Sequence, residues 1–174
     1  MLKSILAIVL VLNQAPPEPP GIVVERSRVG PISIGAAADT VYREFRDRAR
    51  LVDLKLEGHL SPALELKLYG AQLSASLIVE LSPVSNQLVV SRINVIDPAL
   101  RTAVGIGVGS TYGELRAKYS VDWIGSGEGR VFARVEALGI SFQLDTSGPM
   151  RLSSIRDPSK VPAEVRIVSM LLTR

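Results

Sequence analysis

The chain has 174 residues, of which 47% are hydrophobic and 21% charged, with a formal net charge of +3. This composition is typical of one globular domain and excludes a disordered or fibrous protein. Aromatic residues make up only 5%, so the pattern of basic and stacking aromatic residues that binds nucleic acid is missing. The sequence has no cysteine, which excludes disulfides, thiolate metal sites, cysteine nucleophiles and a lipid anchor on cysteine.

The N-terminal segment has the pattern of an export signal. Lys3 precedes an unbroken apolar run at residues 5–12, which has the length of a signal-peptide core and is too short to span a bilayer. Ala15 is a candidate cleavage residue, and it begins the stretch "APPEPP", an extended spacer. The alternative is a buried first strand or helix. We predict a signal peptide and linker at residues 1–20, and a periplasmic or secreted protein with no stable membrane anchor after cleavage.

Residues 32–45 and 106–119 share one pattern at a constant offset. In both, aliphatic residues alternate up to a glycine, and apolar or aromatic residues then recur every three or four positions. This change of period predicts the end of a strand that turns into a helix. Both segments are followed by stretches of alternating apolar and polar residues, with hairpin signals between them. The chain is therefore interpreted as an internal tandem repeat.

The repeat leads to a prediction of fold class. We predict an α+β fold in which residues 21–174 form one domain made of two pseudo-repeats, residues 30–98 and 104–174. Each pseudo-repeat would hold a short strand, one helix and three to four antiparallel strands. The two would share one sheet, with the helices packed on one face of it.

The glycine-rich stretch "GIGVGSTYGELRAKY", residues 105–119, resembles a phosphate-binding loop at first sight. A Walker A loop needs a lysine before its serine or threonine, and Gly109 stands there instead. A dinucleotide-binding loop needs a third glycine where Ser110 stands. Thr111 and Glu114 have the T-x-x-E spacing of a helix capping box. We therefore predict a turn and a helix cap, with no cofactor bound.

Two further polar residues have plain structural explanations. Asp145 lies in "LDTSG", which departs from the D-T-G of aspartic proteases and predicts a turn at the end of a strand. His59, the only histidine, lies in a predicted hairpin loop without the carboxylate cluster that a metal site requires. No G-x-S-x-G motif of serine hydrolases occurs. The sequence therefore predicts no catalytic residue and no metal ligand.

Trp123, the only tryptophan, precedes the glycine-rich tip "GSGEGR". Burial of a large aromatic side chain favours a position under the second helix, in the core. The alternative is an exposed anchor for a partner, because Trp, Tyr and Arg dominate the energetics of interfaces. In that case Tyr42, Tyr69 and Arg130 would join Trp123 in the partner-binding site.

The pattern shared by residues 32–45 and 106–119 resembles the repeats of two tandem-repeat families. These are the families of the β-lactamase inhibitory protein and of BamE (SmpA/OmlA-like), a small outer-membrane assembly lipoprotein. The matching residues are Ile34, Gly35, Ala36, Ala37, Val41 and Phe45, and Val108, Gly109, Ser110, Thr111, Leu115 and Tyr119. The chain lacks the lipobox cysteine of the assembly lipoproteins and the paired cysteines of the inhibitor. The resemblance implies an exported, non-catalytic protein that binds another protein.

Two functions remain open from the sequence. The first is an exported bacterial, non-enzymatic interaction module whose partner is another protein or an envelope component. The second is a small-ligand binder or hydrolase with a site assembled from scattered Asp, Glu and Arg residues. A sheet face with exposed aromatic side chains would favour the first function. A cleft with convergent Asp, Glu and Arg would favour the second.

Overall fold

The computed structural model describes residues 22–56, 58–68, 74–127, 129–148 and 152–174. The predicted export signal lies outside these residues. The fold is mostly β, with 48% strand and 18% helix, and contains two sheets. None of the helices in the described part of the chain combines the length and the apolar character that crossing a membrane requires.

A small sheet of four short strands contains the N-terminal part of the described chain. Its strands are β1 (Val23–Glu25), β2 (Arg28–Val29), β3 (Ile32–Ser33) and β8 (Arg101–Thr102), in the order β3-β2-β1-β8. Strand β1 is antiparallel to β2 and parallel to β8. The sheet therefore joins two parts of the chain that are far apart in sequence.

The large sheet has eight strands, and every neighbouring pair in it is antiparallel. The order is β4-β5-β6-β7-β12-β11-β10-β9. Its strands are β4 (Ala49–Leu56), β5 (His59–Leu66), β6 (Leu77–Val84), β7 (Gln87–Val95), β9 (Trp123–Gly127), β10 (Arg130–Val135), β11 (Ile140–Leu144) and β12 (Ile167–Leu172). The antiparallel strands predicted from the alternation of apolar and polar residues are confirmed.

Adjacent rows of side chains across the large sheet point to opposite faces, because successive residues of a strand alternate. One row is apolar and nearly all buried, and it defines the core face: Ala49, Leu66, Leu77, Val95, Met170, Phe142, Ala133 and Ile124. The next row is largely polar: Arg50, Glu65, Ile78, Asn94, Leu171, Ser141, Arg134 and Trp123. We call the face that carries this second row the open face.

Two short helices, α1 (Ala38–Phe45) and α2 (Tyr112–Lys118), pack on the core face. Helix α1 buries Val41 and Phe45, and α2 buries Tyr112 and Leu115, at the spacing of an apolar helical stripe. Single turns of 3-10 helix lie at Arg46–Arg48, Glu136–Leu138, Leu152–Ser154 and Pro158–Lys160. Both α1 and α2 therefore lie on the core side of the large sheet.

The predicted α+β architecture is wrong. The strands that precede the helices do not enter the large sheet but pair in a sheet of their own, so the chain is not two helix-plus-strand repeats that share one sheet. The physical reason is that strands of two or three residues carry too little alternation to reveal their partners. Strand β8 pairs with β1 in this small sheet. The buried residues Val24, Val29 and Ile32 of the other strands join the common core.

The two glycine turns nevertheless dock onto the large sheet through the same hydrogen bonds. The N–H of Gly35 donates to the carbonyl of Val90 (2.7 Å), and the N–H of Gly109 donates to that of Ile167 (2.8 Å). In each turn, the strand residue returns a hydrogen bond to the carbonyl of the residue after the glycine. Both glycines have a positive φ, 89° and 88°, which favours glycine there. The single domain at residues 21–174 and its repeat boundaries stay predictions.

Candidate functional site: the open face of the large sheet

The glycine-rich loop before α2 uses its polar groups to hold its own shape. The predicted capping box is confirmed: Thr111 Oγ1 accepts from the N–H of Glu114 (3.2 Å), and the Glu114 carboxylate accepts from the N–H of Thr111 (2.7 Å). The hydrogen bond from the Thr111 N–H lowers the pKa of Glu114 because it stabilises the charged form. The N–H of Gly107 donates to Ser110 Oγ (3.2 Å). These backbone N–H groups therefore already donate hydrogen bonds within the protein.

Glycine is required in this loop by close packing as well as by backbone angles. A β-carbon at Gly107 would lie 2.6 Å from the carbonyl oxygen of Leu100, which is shorter than van der Waals contact allows. Arg101 holds the loop from the side, through the carbonyl of Gly105 (2.9 Å) and Ser110 Oγ (3.1 Å). The loop is a tightly packed turn that positions α2.

The structure also places Asp145 and His59, the two other polar residues considered in the sequence. The turn predicted at Asp145 is confirmed, because its Oδ1 accepts from the N–H of Ser147 (2.9 Å), and this bond lowers the pKa of Asp145. His59 is exposed at the start of β5. Within the described residues, no group of three His, Asp or Glu side chains could hold a metal ion.

The structure brings two of the four predicted partner-binding residues to the same face. Trp123 and Arg130 both project from the open face, since Trp123 pairs with Arg134 in the register of β9 and β10, and Arg130 lies four residues before Arg134. Tyr42 lies on α1 and is exposed on the opposite side of the sheet. Tyr69 lies outside the described residues.

The predicted core position of Trp123 is wrong, because its side chain is 43% exposed. The register of the edge strand β9 is the physical reason. It places the neighbouring residue, Ile124, on the core face, where it is buried. A one-residue change of register would exchange the two faces, and the sequence alone does not fix that register. Trp123 is therefore an exposed aromatic side chain on the open face.

A cavity of about 230 Å³ lies on the open face, where the strands of the first half of the chain meet those of the second. Its floor is formed by side chains of the central strands β7, β12 and β11. Phe132 and Leu171 provide apolar walls, and Arg130 borders it from β10. The remaining lining residues include Glu80, Arg92, Asn94, Gln143, Ser169 and Thr173.

Several of the polar groups in this cavity are already paired. Ser169 Oγ donates to Gln143 Oε1 (3.0 Å). Thr173 Oγ1 accepts from the guanidinium of Arg134 (3.1 Å), which is itself mostly buried. Arg92 lies 3.6 Å from the carboxylate of Glu80. These bonds fix the orientation of the side chains that line the floor.

Two groups in the cavity have no such bonds. Neither end of the Asn94 amide makes a hydrogen bond to a described residue, and its Oδ1 is buried. Arg130 makes no ion pair or hydrogen bond with the described residues. A buried acceptor without a partner is rare in native structures. The cavity thus combines an amide and a cation that the fold itself does not use.

The sequence predicted Arg130 but missed Asn94, Gln143 and Thr173. Asn94 and Gln143 lie at polar positions of alternating strands, which was the signal available, whereas Thr173 directly follows β12. Their convergence depends on the pairing of β7 with β12 and of β12 with β11. Those pairings join parts of the chain that local patterns do not connect.

A larger cavity of about 630 Å³ lies towards the β4 edge of the open face, lined by charged residues of both signs: Asp47, Glu65, Arg48, Arg50 and Lys67. Its lining includes Lys67 and Ser74, on either side of residues outside the described part of the chain, and no site is assigned to it.

No protein-family model and no curated protein matches the chain significantly. The chain is similar in structure to the crystal structure of the uncharacterized protein yfeY from Escherichia coli, with a TM-score of 0.61. That similarity covers 87% of this chain and 99% of the other, at 16% sequence identity. At this identity the likeness shows a shared fold alone. The resemblance to the inhibitor and assembly-lipoprotein families stays a prediction.

Proposed function

We propose that the protein is an exported, non-enzymatic interaction module that binds another protein through the open face of its large sheet. The observation that carries the proposal is the half-exposed Trp123 on this face, next to a cavity with an arginine that has no partner among the described residues. Aromatic and arginine side chains contribute most to binding at protein interfaces. Tyr42 is also exposed, but Trp123 lies beside this cavity, and this position supports a partner that covers both.

The chemistry of the cavity supports a binding function over catalysis. A hydrolase needs a nucleophile within hydrogen-bond reach of a base. Ser169 is the serine in this cavity, and its hydroxyl donates to the Gln143 amide, which is not a base. Glu80 is the carboxylate that lines it, and it is paired with Arg92. For this cavity, a hydrolase with a site of scattered Asp, Glu and Arg residues is therefore the weaker proposal.

Export stays part of the proposal because of the sequence pattern at residues 1–20. Lys3, the apolar run and the proline-rich spacer together are typical of a cleaved signal followed by a linker. On this proposal the partner is an envelope or secreted protein, and the mature chain begins near Pro16. Mass spectrometry of the protein from its native host tests this, since an intact Met1 in the cytoplasm would contradict export.

Site-specific photo-crosslinking tests the binding face directly. A photoreactive amino acid replaces Trp123 on the open face in one variant and Tyr42 on the opposite side in the control. Both positions are similarly exposed, at 43% and 49%, so the two variants present the probe to solvent to the same degree. We expect a discrete cross-linked protein from position 123 in the native envelope fraction, and none from position 42. Cross-linking from position 42 alone would contradict the proposal.

A further inference from the structure

We infer that the cavity on the open face is a carboxylate-binding site, and that its ligand is an acidic side chain of the polypeptide partner. The inference rests on the proposed function, because the partner must cover the open face. Three observations support the inference: the hydrogen-bonding groups that remain unused in the cavity, the charge of these groups, and the size of the cavity.

The unused polar groups of the cavity are hydrogen-bond donors. The guanidinium of Arg130 has no partner among the described residues. The Asn94 amide can reach the cavity only through its NH₂ end, because its Oδ1 is buried. Gln143 and Thr173 already accept hydrogen bonds, from Ser169 and Arg134, so the amide hydrogens of Gln143 and the hydroxyl hydrogen of Thr173 are left to donate. A ligand that matches this set must be an acceptor.

The charge of the site fits a single negative charge. Arg92 is opposed by Glu80 at 3.6 Å, and Arg134 by Glu136 at 3.3 Å. Of these three arginines, only Arg130 has no carboxylate partner among the described residues. A carboxylate would neutralise it, whereas a phosphate dianion would leave an excess negative charge beside Glu80. Arginine also binds carboxylates through two parallel hydrogen bonds.

The size and walls of the cavity fit a carboxylate on a short organic stem. At about 230 Å³, it is smaller than the cavities that bind drug-sized molecules. Phe132 and Leu171 would contact the methylene groups of an aspartate or glutamate side chain. The indole of Trp123 lies over Gly125, which pairs with the cavity residue Phe132, so a polypeptide that contacts the indole can insert one side chain.

Asn94 provides an independent argument. It lies between Ile78 and Leu171 in the row of the open face, where an aliphatic side chain would pack without loss. An amide with a buried, unpaired oxygen lowers stability at such a position. Residues that oppose stability are expected at functional sites, and a ligand that accepts from the Asn94 amide explains its presence.

Nuclear magnetic resonance titration tests the inference. The protein, labelled with ¹⁵N, is titrated with acetyl-Leu-Glu-Leu-amide and separately with acetyl-Leu-Gln-Leu-amide. We expect the glutamate peptide to bind about tenfold more tightly, because it adds a charge-assisted hydrogen bond. The side-chain signals of Asn94, Gln143 and Arg130 should shift with it. Equal binding of the two peptides would overturn the inference.

Two variants separate the site from general electrostatics. Arg130→Gln should reduce binding of the glutamate peptide to the level of the glutamine peptide. Arg43→Gln removes the same charge from α1, where Arg43 hydrogen-bonds the carbonyl of Asp39, and should leave binding unchanged. Equal losses in both variants would mean non-specific attraction and would overturn the inference. The amide spectra confirm that both variants are folded.

Competition distinguishes the source and type of the anion. Glutarate should displace the glutamate peptide only weakly, because it lacks a backbone to contact Trp123. Displacement by glutarate at or below the peptide's own dissociation constant would assign the site to a free carboxylate and contradict a polypeptide ligand. Stronger displacement by inorganic phosphate than by glutarate would contradict a carboxylate site.

Cross-linking from position 123 without any preference for glutamate would refute this inference and leave the proposed function standing.

Discussion

The indole ring of Trp123 lies over the backbone of Gly125, two residues further along the edge strand β9. A β-carbon at Gly125 would overlap the ring carbons of Trp123. The ring therefore lies along the strand, with one side against the backbone and the other exposed on the open face. Glycine at position 125 thus decides the orientation of the aromatic side chain that we assign to the interface.

Replacement of Gly125 by alanine should turn the indole away from the strand. The added methyl group occupies the space of the ring, so the ring must rotate into solvent. We expect a red shift of the tryptophan fluorescence and faster quenching by acrylamide. Gly127→Ala is the control, since a β-carbon at Gly127 meets no atom within 4 Å. Identical spectra for the two variants would show that the indole does not lie over Gly125.

Truncation of Trp123 should cost little stability. Because the side chain is 43% exposed, Trp123→Ala should lower the free energy of unfolding by about 1 kcal/mol. Phe142→Ala, which truncates a fully buried side chain of the core face, should lower it by about 3–5 kcal/mol. Urea unfolding monitored by circular dichroism measures both. A loss in Trp123→Ala as large as that in Phe142→Ala would mean that the indole is part of the core.

The capping box at α2 predicts both a mutational loss and a dependence on pH. Thr111→Ala should lower the free energy of unfolding by about 0.5–2 kcal/mol, because the N–H of Glu114 loses its acceptor. Thr40→Ala in α1 is the control, since Thr40 is exposed inside a helix and alanine favours helices. A loss in Thr40→Ala equal to that in Thr111→Ala would argue against a specific cap.

The lowered pKa of Glu114 sets the sign of the pH effect. A carboxyl group whose pKa is lower in the folded state stabilises the fold at neutral pH, and this contribution disappears as the pH falls through that pKa. Glu114→Gln should therefore differ from the wild type at neutral pH and approach it in acid. Unfolding curves of both proteins from neutral to acid pH measure the difference. A difference that grows in acid would contradict the assignment.

Replacement of Asn94 by leucine should raise the stability of the protein. The change removes a buried acceptor that has no partner, and such groups cost about 1–3 kcal/mol. Gln143→Leu, at a comparable position on β11, should instead lower stability, because Ser169 would lose its acceptor. Urea unfolding of both variants gives the two signs. A loss of stability in Asn94→Leu would show that its amide supports the fold rather than a ligand.

Much of the large sheet could be predicted from the sequence. The alternation at Leu64 and Leu66 shows a strand with one buried face, and the T-x-x-E spacing at Thr111 shows the cap, because both signals are local. The small sheet could not be predicted in this way. Its strands are two or three residues long, and β1 pairs with β8 across a long stretch of chain.

The candidate site could be predicted only in part. Arg130 and Trp123 were expected to lie together if Trp123 was exposed, and the register of β9 with β10 places them on one face. Asn94 and Gln143 come from opposite halves of the chain, and they lie in one cavity only because β12 pairs with both β7 and β11. Strand order is a long-range property, which neither composition nor periodicity contains.

Methyl nuclear magnetic resonance tests most directly whether the open face is the binding surface. The partner used is the protein that photo-crosslinking from position 123 identifies. Ile78 and Leu171 report on the open face, whereas Leu51 and Leu60 are highly exposed, at 63% and 71%, on the other side of the sheet. On addition of the partner, we predict that the methyl signals of Ile78 and Leu171 shift and those of Leu51 and Leu60 do not. Shifts confined to Leu51 and Leu60 would contradict the account.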